Sequence, residues 1–158
     1  MSKILKVHAR QVFDSRGNPT IEAEVELDNK IKTSAIVPSG ASTGAFEAHE
    51  LRDNDKNYFL GKSVLKAVEN VNSIISKNII NLDPNDQKKI DNILLKLDGS
   101  ENKKNLGANS LLAVSLAVRK AATILNNENY SNSKKNVCLP YPLMNIINGG
   151  AHADNDLN

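Results

Sequence analysis

"TIEAEVELDNKIKTSAIV", residues 20–37, decides the fold. Ile21, Ala23, Val25 and Leu27 alternate with Glu22, Glu24, Glu26 and Asp28, the period-two pattern of a strand with one face buried and the other in water. Asn29 and Lys30 then separate this run from residues 31–37, a spacing that predicts a hairpin with a two-residue turn. Upstream, Leu5, Val7 and Ala9 predict an earlier strand. The N-terminal part therefore reads as a three-stranded antiparallel meander.

Beyond this run the period becomes helical. Val64, Val68, Val71 and Ile75 follow Gly61 at steps of four, three and four, which defines one helix face. Asp83-Pro84 has the form of an N-cap followed by proline at the first helical position, and the helix it predicts carries Ile90, Ile93, Leu94 and Leu97 and stops at Gly99. Lys88, Lys89, Asp91 and Lys96 form its solvated face. From Ala108 to about residue 125 the sequence is small or apolar nearly all round, which predicts a helix buried against more than one neighbour.

Strands followed by helices define an α+β class: a three-stranded antiparallel meander followed by a helical bundle. Residues 126–139 are polar and asparagine-rich and read as a linker. Residues 140–158 open like a second, different domain, with residues 141–147 patterned as a buried strand before Asn148-Gly149-Gly150. The expected organisation is thus 1–125, a linker at 126–139, and the start of another domain at 140–158.

Length and composition set the outer bounds. A chain of 158 residues suits one domain with a proper core. A formal net charge of +2 lacks the basic excess that a nucleic-acid partner would call for. Cys138 is the only cysteine, so no intrachain disulfide is expected, and a structural thiol is the simpler reading. The N-terminus lacks a signal-peptide apolar region and the longest apolar run, residues 111–118, is too short to span a bilayer. A cytoplasmic protein is the expectation.

Two stretches draw attention as possible sites. Ser39 to Gly44 (Ser39, Gly40, Ala41, Ser42, Thr43, Gly44) are six small residues in succession; they suit either a loop whose backbone approaches a ligand or an ordinary surface turn. Arg16-Gly17-Asn18-Pro19 could pass for a phosphate loop but reads more simply as a turn between strands, with Asp14 and Ser15 bonding nearby backbone. His8 and His49 read as structural, His49 at a helix start. His152 lies in a glycine-rich loop, where a lone histidine is commonly exposed and idle, and Asp154 has no assigned role.

Taken together, VFDSRGNPT (residues 12–20), VPSGASTG with EAHELRD (within 37–53) and MNIINGGAHADN (144–155) resemble the enolase family, as do LDGSENK and GANSLLAVSLA between them. The resemblance covers almost the whole chain, in order. It implies an N-terminal cap of three strands and several helices, followed in the family by an eight-fold α/β barrel. The implied activity is the glycolytic, magnesium-dependent dehydration of 2-phosphoglycerate to phosphoenolpyruvate, a hydro-lyase reaction (phosphopyruvate hydratase). Two Mg2+ ions per site hold the enolate-like dianion there while a base takes the proton and an acid helps hydroxide leave.

Residue by residue, the resemblance places Ser39–Gly44 as a lid, Ser42 as ligand of the second magnesium and His152 near the substrate phosphate. Arg10 and Glu22 match positions of intersubunit ion pairs, which implies a homodimer or higher homo-oligomer. The family's base, acid and metal carboxylates correspond to positions after residue 158, so no catalytic residue is expected within the chain, and tight magnesium binding is not expected. A barrel of about 250 residues cannot fit in this length. "NDLN" and the short linker depart from the family pattern, and the end is read as truncation or frameshift and not as a domain boundary. The alternative is a non-catalytic module that binds enolase subunits or another protein; a superfamily member with another substrate fits the lid and NGGAHADN less well.

Overall fold

A computed structural model of the chain describes residues 2–40, 44, 46–128 and 140–147. Three strands, β1 (Ile4–Phe13), β2 (Pro19–Leu27) and β3 (Lys32–Val37), form an antiparallel sheet in the order β1-β2-β3. Ile21, Ala23, Val25 and Leu27 are fully buried, as their alternation requires. The hairpin turn differs from the expected two residues. Glu26 pairs with Lys32, and the Leu27 N–H donates to the Ile31 carbonyl at 2.9 Å, so Asp28, Asn29 and Lys30 make a three-residue loop. Lys30 takes a φ of 72°, the left-handed step that closes such loops.

Leu5, expected on the buried face of β1, is 55% exposed. An irregularity in register between Ile4 and Lys6 shifts the alternation by one residue. Ile4, Val7 and Ala9 consequently face the core.

The helix expected after Gly61 is a composite: α1 (Leu65–Asn70), a π turn (Val71–Ile75) and α2 (Ser76–Ile79). Asp53 caps its start, with its two carboxylate oxygens accepting the N–H groups of Leu65 and Lys66 at 2.9 Å each. Asn72, in the π turn, closes the free edge of β1. Its Oδ1 accepts the Ala9 N–H at 2.8 Å and its Nδ2 donates to the Ala9 carbonyl at 3.0 Å.

In α3 (Gln87–Asp98) the cap is Asp86, whose carboxylate accepts the Lys89 N–H at 3.2 Å, and not Asp83. Asp83 and Pro84 form a preceding turn, closed by the Asp86 N–H on the Asp83 carbonyl. Gly99 ends the helix at φ 67°. Asp91 leaves the solvated face predicted for it, because its carboxylate accepts from Gln87 and from the Ser115 hydroxyl at 2.7 Å.

The last helix, α4 (Ala108–Leu125), packs chiefly on β2 and β3. Ala113, Val114, Ala117, Val118 and Ala121 are fully buried. It touches β2, β3, α1 and α3, which accounts for apolar residues on nearly all of its circumference. Residues 140–147 form no strand, contrary to expectation, and Tyr141, Leu143 and Ile146 are exposed. A strand needs ladder partners for its N–H and C=O groups, and none of the three described strands pairs with this segment.

Candidate functional site

Every sequence motif singled out between residues 12 and 117 meets around the stem of the hydroxyl-rich loop. The turn Asp14–Asn18 comes first. The Asp14 carboxylate accepts the N–H groups of Arg16 and Asn18 at 2.9 Å each, and its side chain is only 3% exposed. Those bonds, with that of Asn18 foremost, and the adjacent Arg16 and Arg52 charges hold its carboxyl below the usual aspartate range against the opposing effect of burial. The turn aims Arg16 outward, and its guanidinium donates to the Ser39 carbonyl at 2.5 Å.

Ser39 is gripped a second time through its hydroxyl, which donates to Glu50 Oε2 at 2.9 Å. Glu50 in turn receives Arg52 on both carboxylate oxygens, Nη2 at 2.8 Å and Nε at 3.2 Å, the fork geometry that suits guanidinium to carboxylate. Arg52 also donates to the carbonyls of Pro19 and Lys62. One connected network therefore ties the β1–β2 turn, the end of β3, the EAHELRD segment and the approach to α1.

A second support comes from α4. The Asn109 side chain, on a residue 3% exposed, accepts the Leu51 N–H at 3.0 Å and donates to the Leu51 carbonyl at 3.1 Å. The His49 carbonyl accepts the Ala108 N–H at 2.8 Å. LDGSENK supplies the bend before α4 through Asp98, which accepts the Leu106 N–H at 2.7 Å and both the N–H and hydroxyl of Ser100. Burial pushes the Asp98 carboxyl up, but these donors together with the Asn105 main chain bring it below its ordinary value.

Between the loop stem and α4 opens a cleft of about 660 Å3, lined by Ser39, Gly40, Gly44, Glu47, His49 and Asn109 among others. His49 is exposed and lies in irregular chain, not at the helix start expected for it. Among the described residues no group of three or more His, Cys, Asp or Glu side chains is placed to hold a metal ion. Of the residues expected at the site, Ser39, Gly40 and Gly44 are described; Ala41, Ser42, Thr43, His152 and Asp154 lie outside the described residues, as does Cys138.

Arg10 and Glu22, expected at a subunit interface, face each other across β1 and β2 and pair at 2.7 Å within the chain. Arg16 is read from sequence only as part of a turn, and Glu50, Arg52 and Asn109 carry no site role in that reading. The opposed charges of EAHELRD and the Asp14/Arg16 turn were the available signal, but nothing in their spacing shows that they converge on Ser39.

Residues 4–131 match the enolase N-terminal domain family. The chain belongs to the enolase family. Its fold, a three-stranded antiparallel sheet followed by helices, is that of the enolase N-terminal domain. Among similar proteins is an enolase of Pelagibacter ubique (strain HTCC1062), 60% identical over 160 aligned residues that include 99% of this chain. The chain spans 38% of the length of that relative. Within the enolase N-terminal domain, the loop stem, its charged network and the cleft beside α4 form the candidate site.

Proposed function

We propose that this chain is the N-terminal, substrate-covering part of a glycolytic enolase, a cytoplasmic hydro-lyase that interconverts 2-phosphoglycerate and phosphoenolpyruvate and works as a homodimer or higher homo-oligomer. The observation that carries the reading is the fixed stem of the loop. Two charged side chains from separate segments, Arg16 and Glu50, anchor Ser39, three residues before Ser42, and Asp14 and Arg52 hold those two from behind. In this reading Ser42 would offer its hydroxyl to a bound magnesium ion, and His152 would serve the substrate phosphate.

Two bound magnesium ions would neutralise the charge that builds when a proton leaves the carbon beside a carboxylate. The described residues do not fit such an ion on their own. Glu50 is committed to Arg52 and Ser39, no three-ligand group is present among them, and a magnesium ion demands six oxygens. Ser42 would add one ligand to a set held by other carboxylates. In this reading the chain is a positioning and enclosing element, and none of its residues serves as the general base of the reaction.

Replacing the matching segment of the Pelagibacter enolase with this chain tests the reading. The expected chimera forms phosphoenolpyruvate, followed by its ultraviolet absorbance with magnesium, and Ser42→Ala lowers kcat by about 100-fold. A folded chimera without activity would overturn it. The chain alone is expected to form no product above background.

A second reading, a non-catalytic module that binds enolase subunits or another protein, draws on the exposed Leu112, Tyr141, Leu143, Ile146 and Ile147. Size-exclusion chromatography with full-length enolase tests it: a monomer that ignores the added enzyme counts against partner binding.

A further inference from the structure

We infer that Arg16 and Glu50 are positioning residues for the hydroxyl-rich loop, fixing Ser39 by its carbonyl and its hydroxyl so that Ser42 starts from one defined point; this rests on the reading of Ser42 given above. The two grips are chemically independent. Arg16 holds the main chain at 2.5 Å, and Glu50 holds the side chain at 2.9 Å. Each gripping residue is itself held from behind. The Asp14 carboxylate sits 3.6 Å from the Arg16 guanidinium and fixes the Arg16 N–H, while Arg52 forks onto Glu50.

The cost of this arrangement is not returned as core stability. Ser39 lies two residues beyond the end of β3, and part-exposed ion pairs contribute little to folding. What a doubly held serine does supply is direction. A main-chain bond alone leaves the side chain of Ser39 free to turn, and a side-chain bond alone leaves its peptide plane free. With both in place, the chain leaves β3 along one path, which is the preorganisation that a ligand three residues on requires.

Arg52 widens the device. Besides Glu50 it donates to the Pro19 and Lys62 carbonyls, so the grip on Ser39 is referred to β2 and to the approach to α1 together. A guanidinium suits this task because its five N–H donors lie in one rigid plane and can serve a carboxylate and two carbonyls at once.

Hydrogen exchange by mass spectrometry on the 158-residue chain tests the inference without magnesium or substrate. Peptides spanning residues 38–48 report the loop and peptides spanning 20–28 report β2. Ser39→Ala, which removes the bond, and Glu50→Gln, which takes away its charge and the Arg52 fork behind it, are each expected to speed exchange in the loop by about tenfold with β2 unchanged, and the double variant to be no faster than Ser39→Ala, because both act on the same bond. Arg16→Ala is expected to speed the loop independently, with Arg16→Lys recovering part of the protection. Loop exchange unchanged in Glu50→Gln and Arg16→Ala, or raised equally in β2, would overturn the assignment. If Arg16→Ala fails to fold, Arg16→Lys and Glu50→Gln decide. An inactive chimera would leave this result standing, and unchanged exchange would leave the enolase reading standing.

Discussion

Gly107 and Leu51 lie so close that a Cβ built on Gly107 would meet the Leu51 Cβ at 2.5 Å. Gly107 also has a φ of 91°, a conformation that side-chain-bearing residues rarely adopt. Both constraints arise where the EAHELRD segment is laid against the start of α4. Gly107→Ala is therefore expected to cost about 2–4 kcal/mol. Chemical denaturation measures it, and a midpoint equal to that of the parent chain would refute the close approach.

Asn72 is the only described side chain bonded to both main-chain groups of Ala9. Asn72→Ala leaves a donor and an acceptor on the edge of β1 without that partner, at an expected cost of about 1–3 kcal/mol. Exchange of the Ala9 amide should rise more than the global loss of stability accounts for. An unchanged Ala9 amide would show that the π turn does not guard the strand.

Asp98 makes stability depend on pH. Its carboxyl is depressed in the folded state, so its contribution is complete above the ordinary aspartate value of about 3.9 and is lost as pH falls through the folded value. Asp14 has the same sign. Asp98→Asn is expected to lower stability at neutral pH and to flatten its decline below about pH 4. Denaturation curves across that range check it; parallel curves for the parent and the variant would contradict the assignment.

Arg10 and Glu22 give a deliberately small prediction. The pair is cross-strand, with the Arg10 side chain 49% exposed. Arg10→Gln should change the stability of the chain by less than about 1 kcal/mol, and less again at high salt. A larger, salt-insensitive loss would mean that the arginine has a further partner.

Much of the fold was legible because burial leaves a period in the sequence. Ile21 to Leu27 and the all-round apolar character of α4 could have only one physical reading each. The misreadings fall where one residue changes register or role. Leu5 is displaced by an irregularity in β1, and Lys30 takes a left-handed φ that only hairpin closure requires. Asp86 outcompetes Asp83 as a cap, since the Asp83-Pro84 turn already uses Asp83. The site was legible as a loop and not as a network. Arg16, Glu50 and Arg52 are polar residues in irregular segments, where no period exists to betray a shared target, and their convergence on Ser39 depends on tertiary placement.

The π turn at Val71–Ile75 carries one last consequence. Val71, Ile75 and Ile79 recur every four residues and are all buried, yet a regular α-helix advances 3.6 residues per turn and would swing such a series steadily around its axis. A single wider turn takes up the slack, like a leap day inserted into a calendar that would otherwise drift. Adding one more residue to this turn would leave every side chain downstream chemically unchanged and rotated off its seat. The composite helix should thus tolerate substitution along its length far better than it tolerates a change in its count.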